Sequence, residues 1–282
     1  MQVCEASFGL QATPKTVAVI TGAASGIGRG LAERFATEGM KVVLADVEDA
    51  ALAKLEADLK AQGATVLTVR TDVSNAREVE NLAVQTLETF GAVHILCNNA
   101  GVVCSRPVWE HTLADWEWVL GVNLWGVIHG IRAFVPRMLA QGNECHIVNT
   151  ASILGLVGGS GEGIYKVSKH GVVVLSETLA DELAQKEANI QVHVLCPGWV
   201  RTGILDAARN RPDALQNPAE KKRPQELVIG GSRNARAEME AGLSPAEVAE
   251  HVYHAIQNGI FYIHTHPEHK AWIRERMERI LA

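Results

Sequence analysis

A chain of 282 residues, 47% hydrophobic and 21% charged, has the composition of an ordinary globular protein, and its length suits one large α/β domain or two small ones. A formal net charge of −6 excludes the broad basic surface that nucleic-acid binding demands, and the one dense basic cluster, Lys221-Lys222-Arg223, reads as a solvated loop. No segment is expected to approach the roughly 20 apolar residues that a membrane helix needs.

Met1 to Thr16 lack the basic start and apolar run of a signal peptide and read as a tail. From there short β-branched runs alternate with longer amphipathic stretches, the pattern of a parallel sheet covered by helices. Strands are predicted at Val17 to Thr21, Lys41 to Asp46, Thr65 to Arg70, Val93 to Cys97, His146 to Thr150, Gln191 to Cys196 and Ile260 to His264. Helices are predicted from Ile27 to Thr37, Asp49 to Gln62 and Asn75 to Phe90, with Ser74 or Asn75 capping the third. Two longer helices follow, from about Asp115 to Gln141 and from about Gly163 to Glu187. Gly203 to Gly242 interrupts the alternation, with three prolines and a Gly230-Gly231 pair. A stretch so far beyond the usual loop length of roughly 12 to 15 residues reads as a mobile functional segment with short helices. Ser244-Pro245-Ala246-Glu247 opens a helix to about Asn258. Pro267 to Ala282 forms a terminal amphipathic helix with Trp272, Ile273, Met277, Ile280 and Leu281 on its apolar side. No linker divides the chain, so residues 1–282 are expected to form one domain.

Cys4, Cys97, Cys104, Cys145 and Cys196 show no C-x-x-C spacing. They fit buried thiols in a reducing cytoplasm better than disulfides or zinc ligands. His264, His266 and His269 lack the carboxylate or thiol partners of a metal site, and no metal is expected.

The first strand runs into Gly22-Ala23-Ala24-Ser25-Gly26-Ile27-Gly28 and then a helix. Glycines let the backbone turn sharply toward a pyrophosphate, and the helix amino terminus offers N–H groups to the anion. Asp46, beside Val47 at the next strand end, is placed to accept from adenosine ribose hydroxyls. Its charge would repel a 2′-phosphate, and neither Ser25 nor Val47 supplies a cation, so NAD is favoured over NADP.

Tyr165 and Lys169 share a helix face at i, i+4, and Ser152 lies upstream. Many such pairs are exposed helix pairs contributing a few tenths of a kcal/mol, about the size of any i, i+4 contact. Beside a nucleotide site they acquire chemistry. An ammonium near a phenol favours phenolate and is expected to bring the pKa down from about 10 toward working pH. Such a phenol can exchange a proton with an alcohol oxygen that Ser152 also hydrogen-bonds.

These residues resemble the short-chain dehydrogenase/reductase family from Thr16 to about His264. The resemblance rests on Thr21-Gly22-x-x-x-Gly26-Ile27-Gly28, Asp72-Val73, Asn98-Asn99-Ala100-Gly101, Asn123, Ser152, Tyr165-x-x-x-Lys169 and Pro197-Gly198-x-x-x-Thr202. It implies a doubly wound Rossmann sheet of about seven strands in the order 3-2-1-4-5-6-7 and hydride transfer between a secondary alcohol or ketone and a nicotinamide. Tyr165 would be the acid/base, Ser152 would orient the substrate oxygen, and Tyr165 and Lys169 would also contact the cofactor, Lys169 by binding the nicotinamide ribose. Asn123 would hold a water beside the lysine. Asp72 and Val73 would receive the adenine, Asn99, Ala100 and Gly101 would floor the adenosine and ribose, and Pro197, Gly198, Val200 and Thr202 would border the nicotinamide. A homodimer or homotetramer would follow by analogy.

Residues after Ser152 and after Pro197-Gly198 are expected to face the substrate: Ile153, Leu154, Leu156, Val157, Trp199, Ile204 and Leu205. This apolar wall suggests a hydrophobic or aromatic substrate. Trp109, Trp116, Trp118 and Trp125 are expected to pack within helices, and Cys104 and Arg106 to reach either the cleft mouth or a solvated loop. Alternatives are an NADPH-dependent ketone or 3-oxoacyl reductase of the same family and a non-catalytic NAD-sensing protein. A halohydrin-lyase relative is set aside, because the lysine and the glycine turn are both present.

Overall fold

The computed structural model describes residues 13–218 and 234–282. Cys4, Lys221 to Arg223, the Gly230-Gly231 pair and most of the amino-terminal tail lie outside the described residues.

Seven strands form one parallel sheet in the order β3-β2-β1-β4-β5-β6-β7. They are β1 Val17–Thr21, β2 Lys41–Asp46, β3 Val66–Arg70, β4 Ile95–Asn98, β5 Cys145–Thr150, β6 Ile190–Cys196 and β7 Tyr262–His264. Val19 is paired with Val43 on one side and Leu96 on the other. The chain therefore reverses its direction of winding between β1 and β4, and the crevice outside the carboxyl ends of these strands is where such sheets hold ligands.

Helices cover both faces: α1 Gly26–Thr37, α2 Asp49–Ala61, α3 Ala76–Phe90, α4 Leu113–Leu120, α5 Gly126–Gln141, α6 Gly163–Gln185, α7 Ala235–Ala241, α8 Pro245–Asn258 and α9 Lys270–Leu281. One core layer joins Ile20, Leu31, Phe35 and Leu44 to Val248 and Val252; the other joins Val19, Leu82 and Leu96 to Phe134 and Leu179. The inner strands β1, β2, β4, β5 and β6 are buried on both sides, which explains their largely apolar runs, while the edge strands β3 and β7 are half-buried. Asn75 caps α3 by accepting from Arg77 N at 3.0 Å. Ser244 and Glu247 form a reciprocal capping box on α8.

The helix predicted over 115–141 differs from the expectation in two ways. It begins earlier, because Thr112 and Asp115 form a capping box, and it is broken by a π-helical turn at Gly121–Trp125. Leu113–Gln141 is also long and apolar enough to cross a membrane, with a mean hydropathy of 1.3, contrary to the expectation that no segment would be. Half of that apolar window is buried inside the protein, so its apolar face is spent on the core.

Candidate active site

The glycine turn is built for close approach. Gly22 and Gly26 have φ of +65° and +52°, and a Cβ on Gly28 would lie 2.0 Å from the Gly22 carbonyl oxygen. Ser25 precedes α1 without capping it through its side chain, and no acidic residue occupies the first turn. The helix therefore presents unshielded N–H groups to an anion. Asp46 is buried, and its carboxylate accepts from Ala24 N at 2.9 Å and Glu48 N at 3.0 Å. Those two bonds hold the carboxylate beside the turn. Thr21 Oγ1 accepts from Asn99 N at 2.9 Å and Ala100 N at 3.2 Å, tying the end of β1 to the loop after β4.

A cleft of about 1350 Å³ runs from this turn to Tyr165. It is lined by Gly22, Ser25, Gly26, Ile27, Asp46, Val47, Asp72, Val73, Asn99, Ala100 and Gly101 at one end. Ser152, Tyr165, Lys169, Pro197, Gly198, Val200 and Thr202 follow toward the other. Gly28 is not part of the lining; it stands behind the turn, where its missing side chain lets α1 pack on Gly22. The turn, the acid and the adjoining backbone groups fit a dinucleotide.

Tyr165 and Lys169 come from the first two turns of α6, and Ser152 lies two residues beyond β5. All three are buried. Ser152 Oγ accepts from Leu154 N at 3.1 Å. Lys169 Nζ donates to the Thr150 carbonyl at 2.7 Å and lies 5.6 Å from the Tyr165 ring centroid. Burial pushes the Tyr165 phenol up to about 12, with the Ser152 hydroxyl opposing the rise and the Glu162 carboxylate adding to it. Burial also draws the Lys169 ammonium down to about 8. The expectation that Lys169 lowers the phenol toward neutral pH is thus corrected: burial sets the direction of the shift and raises the phenol. Glu162 is itself buried, holds left-handed backbone (φ +46°), and accepts from Ser105 Oγ at 3.2 Å.

Asn123 lies in the π-helical turn. It accepts from Val102 N at 2.8 Å and donates to Val102 O at 2.9 Å and Ser168 Oγ at 3.1 Å. The turn aims this carboxamide at α6, and π turns recur at functional positions.

Of the residues expected to face the substrate, Ile153, Leu154, Trp199, Ile204 and Leu205 line the cleft, but Val157 and Leu156 do not. The chain turns through Ile153–Gly155, with Leu156 N and Val157 N both donating to the Ile153 carbonyl. That turn carries Leu156 onto the Val127 and Val172 core cluster and takes Val157 out of the cleft. The tryptophans also depart from expectation. Trp116, Trp118 and Trp125 reach the cleft, whereas Trp109 is 82% exposed. Indoles are long enough to pack at their base and line a cavity at their edge.

Several cleft residues had no motif to reveal them: Glu48, Arg209, Leu215, Met239, His269 and Trp272. Only the unusual length of Gly203 to Gly242 signalled some of them.

Cys104 is buried beside His111 and Asp115, with ligand-type atoms within 4.8 Å of one another. Asp115 is held by Arg211 Nη1 at 2.6 Å and Asn217 Nδ2 at 2.9 Å, with Arg106 Nε at 3.8 Å. Two guanidiniums at one carboxylate oppose a dication there, so the cluster serves to fasten the 211–217 segment to α4.

A parallel doubly wound sheet with a glycine turn at its switch point defines a dinucleotide-binding α/β protein. The family model described as short chain dehydrogenase matches residues 16–213. A CLA biosynthesis dehydrogenase/reductase of Lactiplantibacillus plantarum is 34% identical over 265 residues, 94% of this chain and 93% of the relative. A 1-deoxy-11-beta-hydroxypentalenate dehydrogenase of Streptomyces exfoliatus is 34% identical over 265 residues, 93% of this chain and 87% of the relative. Among solved structures, a short chain dehydrogenase/reductase from Burkholderia phymatum in complex with NAD superposes with a TM-score of 0.90 at 48% identity, covering 94% of each chain. The chain belongs to the short-chain dehydrogenase/reductase family. It is an oxidoreductase of the alcohol/ketone class that uses a nicotinamide cofactor.

Proposed function

We propose that this protein interconverts a hydrophobic or aromatic secondary alcohol and its ketone with NAD(H), working as one domain in a homodimer or homotetramer in the cytoplasm. The observation that carries the reading is the convergence of Ser152, Tyr165 and Lys169 at the end of the cleft that begins at Asp46. Its NAD preference is supported by a buried carboxylate fixed by two backbone N–H groups where a 2′-phosphate would have to sit. Among the described residues the one guanidinium that lines the cleft, Arg209, is engaged by Glu48. Exposed Trp125, Val167 and Val174 on the long helices support self-association.

When bound, the nicotinamide supplies the hydride acceptor or donor and, when oxidised, a positive charge. Tyr165 removes the proton from the substrate hydroxyl in oxidation and returns it in reduction. Ser152 orients the same oxygen with its own hydroxyl. Lys169 places positive charge beside Tyr165 and binds the nicotinamide ribose, held in line by the Thr150 carbonyl. Asn123 links the Val102 backbone to Ser168 and so positions the turn of α6 that carries Lys169. Screening aliphatic, aromatic and steroidal alcohols by NADH absorbance tests the reading. Activity confined to polar polyols, or only with NADPH, would overturn it.

A further inference from the structure

The carboxyl-terminal segment builds a stack of three rings. His266 and His269 have centroids 5.0 Å apart and planes 4° apart; His269 and Trp272 have centroids 4.1 Å apart and planes 16° apart. The stack is founded on the turn after β6. Gly198 N donates to His266 Nδ1 at 3.2 Å, and a Cβ on Gly198 would come within 2.5 Å of His269 Cε1. Any other residue at 198 would push the rings away. One turn beyond Trp272, Arg276 Nη1 donates to the Leu156 carbonyl at 3.2 Å, joining α9 to the segment that follows Ser152.

α9 buries none of its residues. It is held by ties to the two chain segments that flank the reaction centre, the Gly198 turn and the Ser152 segment. His269 and Trp272 both line the cleft, and Trp272 is half-exposed. One face of the indole is covered by His269. Among the described residues no second ring contacts the indole, and Trp116 and Trp199 line the same cleft.

We propose that Trp272 is a stacking platform for a planar aryl group, so that the substrate is a secondary alcohol or ketone carrying an aromatic ring. This rests on the oxidoreductase reading above and goes beyond it by assigning the ring-recognising residue. Offset stacking of aromatic rings contributes about 0.5 to 1.5 kcal/mol beyond area burial, roughly a two- to tenfold change in affinity.

The test compares an aryl secondary alcohol with an aliphatic one of matched size, using the full chain, NAD and the variants Trp272→Leu and Trp272→Phe. Trp272→Leu keeps apolar bulk and removes the wide π face. It should raise KM for the aryl alcohol roughly two- to tenfold, leave kcat and the KM for NAD nearly unchanged, and alter the aliphatic KM less than twofold. Trp272→Phe should restore most of the aryl preference. Equal loss on both alcohols, or no loss on either, overturns the platform while leaving the oxidoreductase reading in place. Absence of turnover by the wild-type protein on both alcohols overturns that reading, and the platform with it.

Discussion

Glu48 and Arg209 meet across the mouth of the cleft. Glu48 Oε1 accepts from Arg209 Nε at 3.1 Å and Nη2 at 2.7 Å, and from Asn210 Nδ2 at 2.7 Å. Glu48 stands two residues beyond Asp46, and Arg209 belongs to the segment that also supplies Ile204 and Leu205 to the cleft. The Asn210 hydrogen bond is the largest influence holding the Glu48 carboxyl below its usual range. A partly exposed pair of this kind contributes about 0.2 to 1 kcal/mol. Glu48→Gln should therefore raise the KM for the alcohol up to about fivefold, with a smaller change in kcat, and should blunt the dependence of KM on salt. A KM indistinguishable from wild type would show that the clip does not position the segment.

Tyr165→Phe removes the one group proposed to move the substrate proton while keeping the ring in its buried place. Turnover should fall by about 10³-fold or more, since positioned acid/base groups contribute roughly 10² to 10⁴. NAD binding, followed by fluorescence titration, should stay within about twofold, the scale of a contact that makes no direct bond to the cofactor. Substantial residual activity would remove Tyr165 from the proposed role.

Burial holds the phenol at about 12, and oxidation needs phenolate, so kcat/KM for the alcohol should rise with pH from neutrality upward. Lys169→Ala removes the ammonium that persists below about 8 and should depress the neutral-pH end of that rise. A flat profile in the wild type, or one unmoved in the variant, would argue against an acid/base role for the pair.

Asp46→Ala deletes the charge opposed to a 2′-phosphate together with the acceptor for Ala24 N and Glu48 N. The ratio of kcat/KM for NAD over NADP should fall about tenfold or more, and stability should fall by about 1 to 3 kcal/mol from the unsatisfied buried N–H groups. An unchanged cofactor ratio would count against the NAD assignment.

His146 and His193 stack inside the sheet with Nδ1 and Nε2 3.0 Å apart, and burial lowers each to about 4. An ion pair with Glu144, 3.4 Å from His146, would favour protonation, but burial prevails. The unfolded chain takes up these protons near 6.5 and the folded protein does not until about 4. Stability conferred by the neutral pair is complete above about 6.5 and drains away as pH falls toward 4. Thermal melting should show Tm falling through that window, with a shallower fall in a variant carrying His146→Leu and His193→Leu. An equal slope in that variant would assign the acid sensitivity elsewhere.

Much of the architecture was legible because the inner strands β1, β2, β4, β5 and β6 are buried on both faces and so are written largely as apolar runs. Val17–Thr21 and Lys41–Asp46 occupy the predicted positions to the residue. Capping chemistry is equally local, which is why Ser244 and Glu247 could be read directly. The π-helical turn at Asn123 was not legible, since its extra residue leaves no mark on the apolar spacing of the helices around it. Val157 was misplaced because sequence proximity to Ser152 says nothing about which way a short turn sends the chain.

The sequence by itself determined the alternation of strand and helix, the glycine turn, the position of Asp46, and the i, i+4 spacing of Tyr165 and Lys169, because all of these follow from local geometry. Only the tertiary structure decided that burial raises the phenol's pKa, that Glu48 reaches Arg209, and that α9 brings Trp272 to the cleft. Desolvation and long-range contact depend on what the rest of the chain packs around a residue, and no local spacing encodes that.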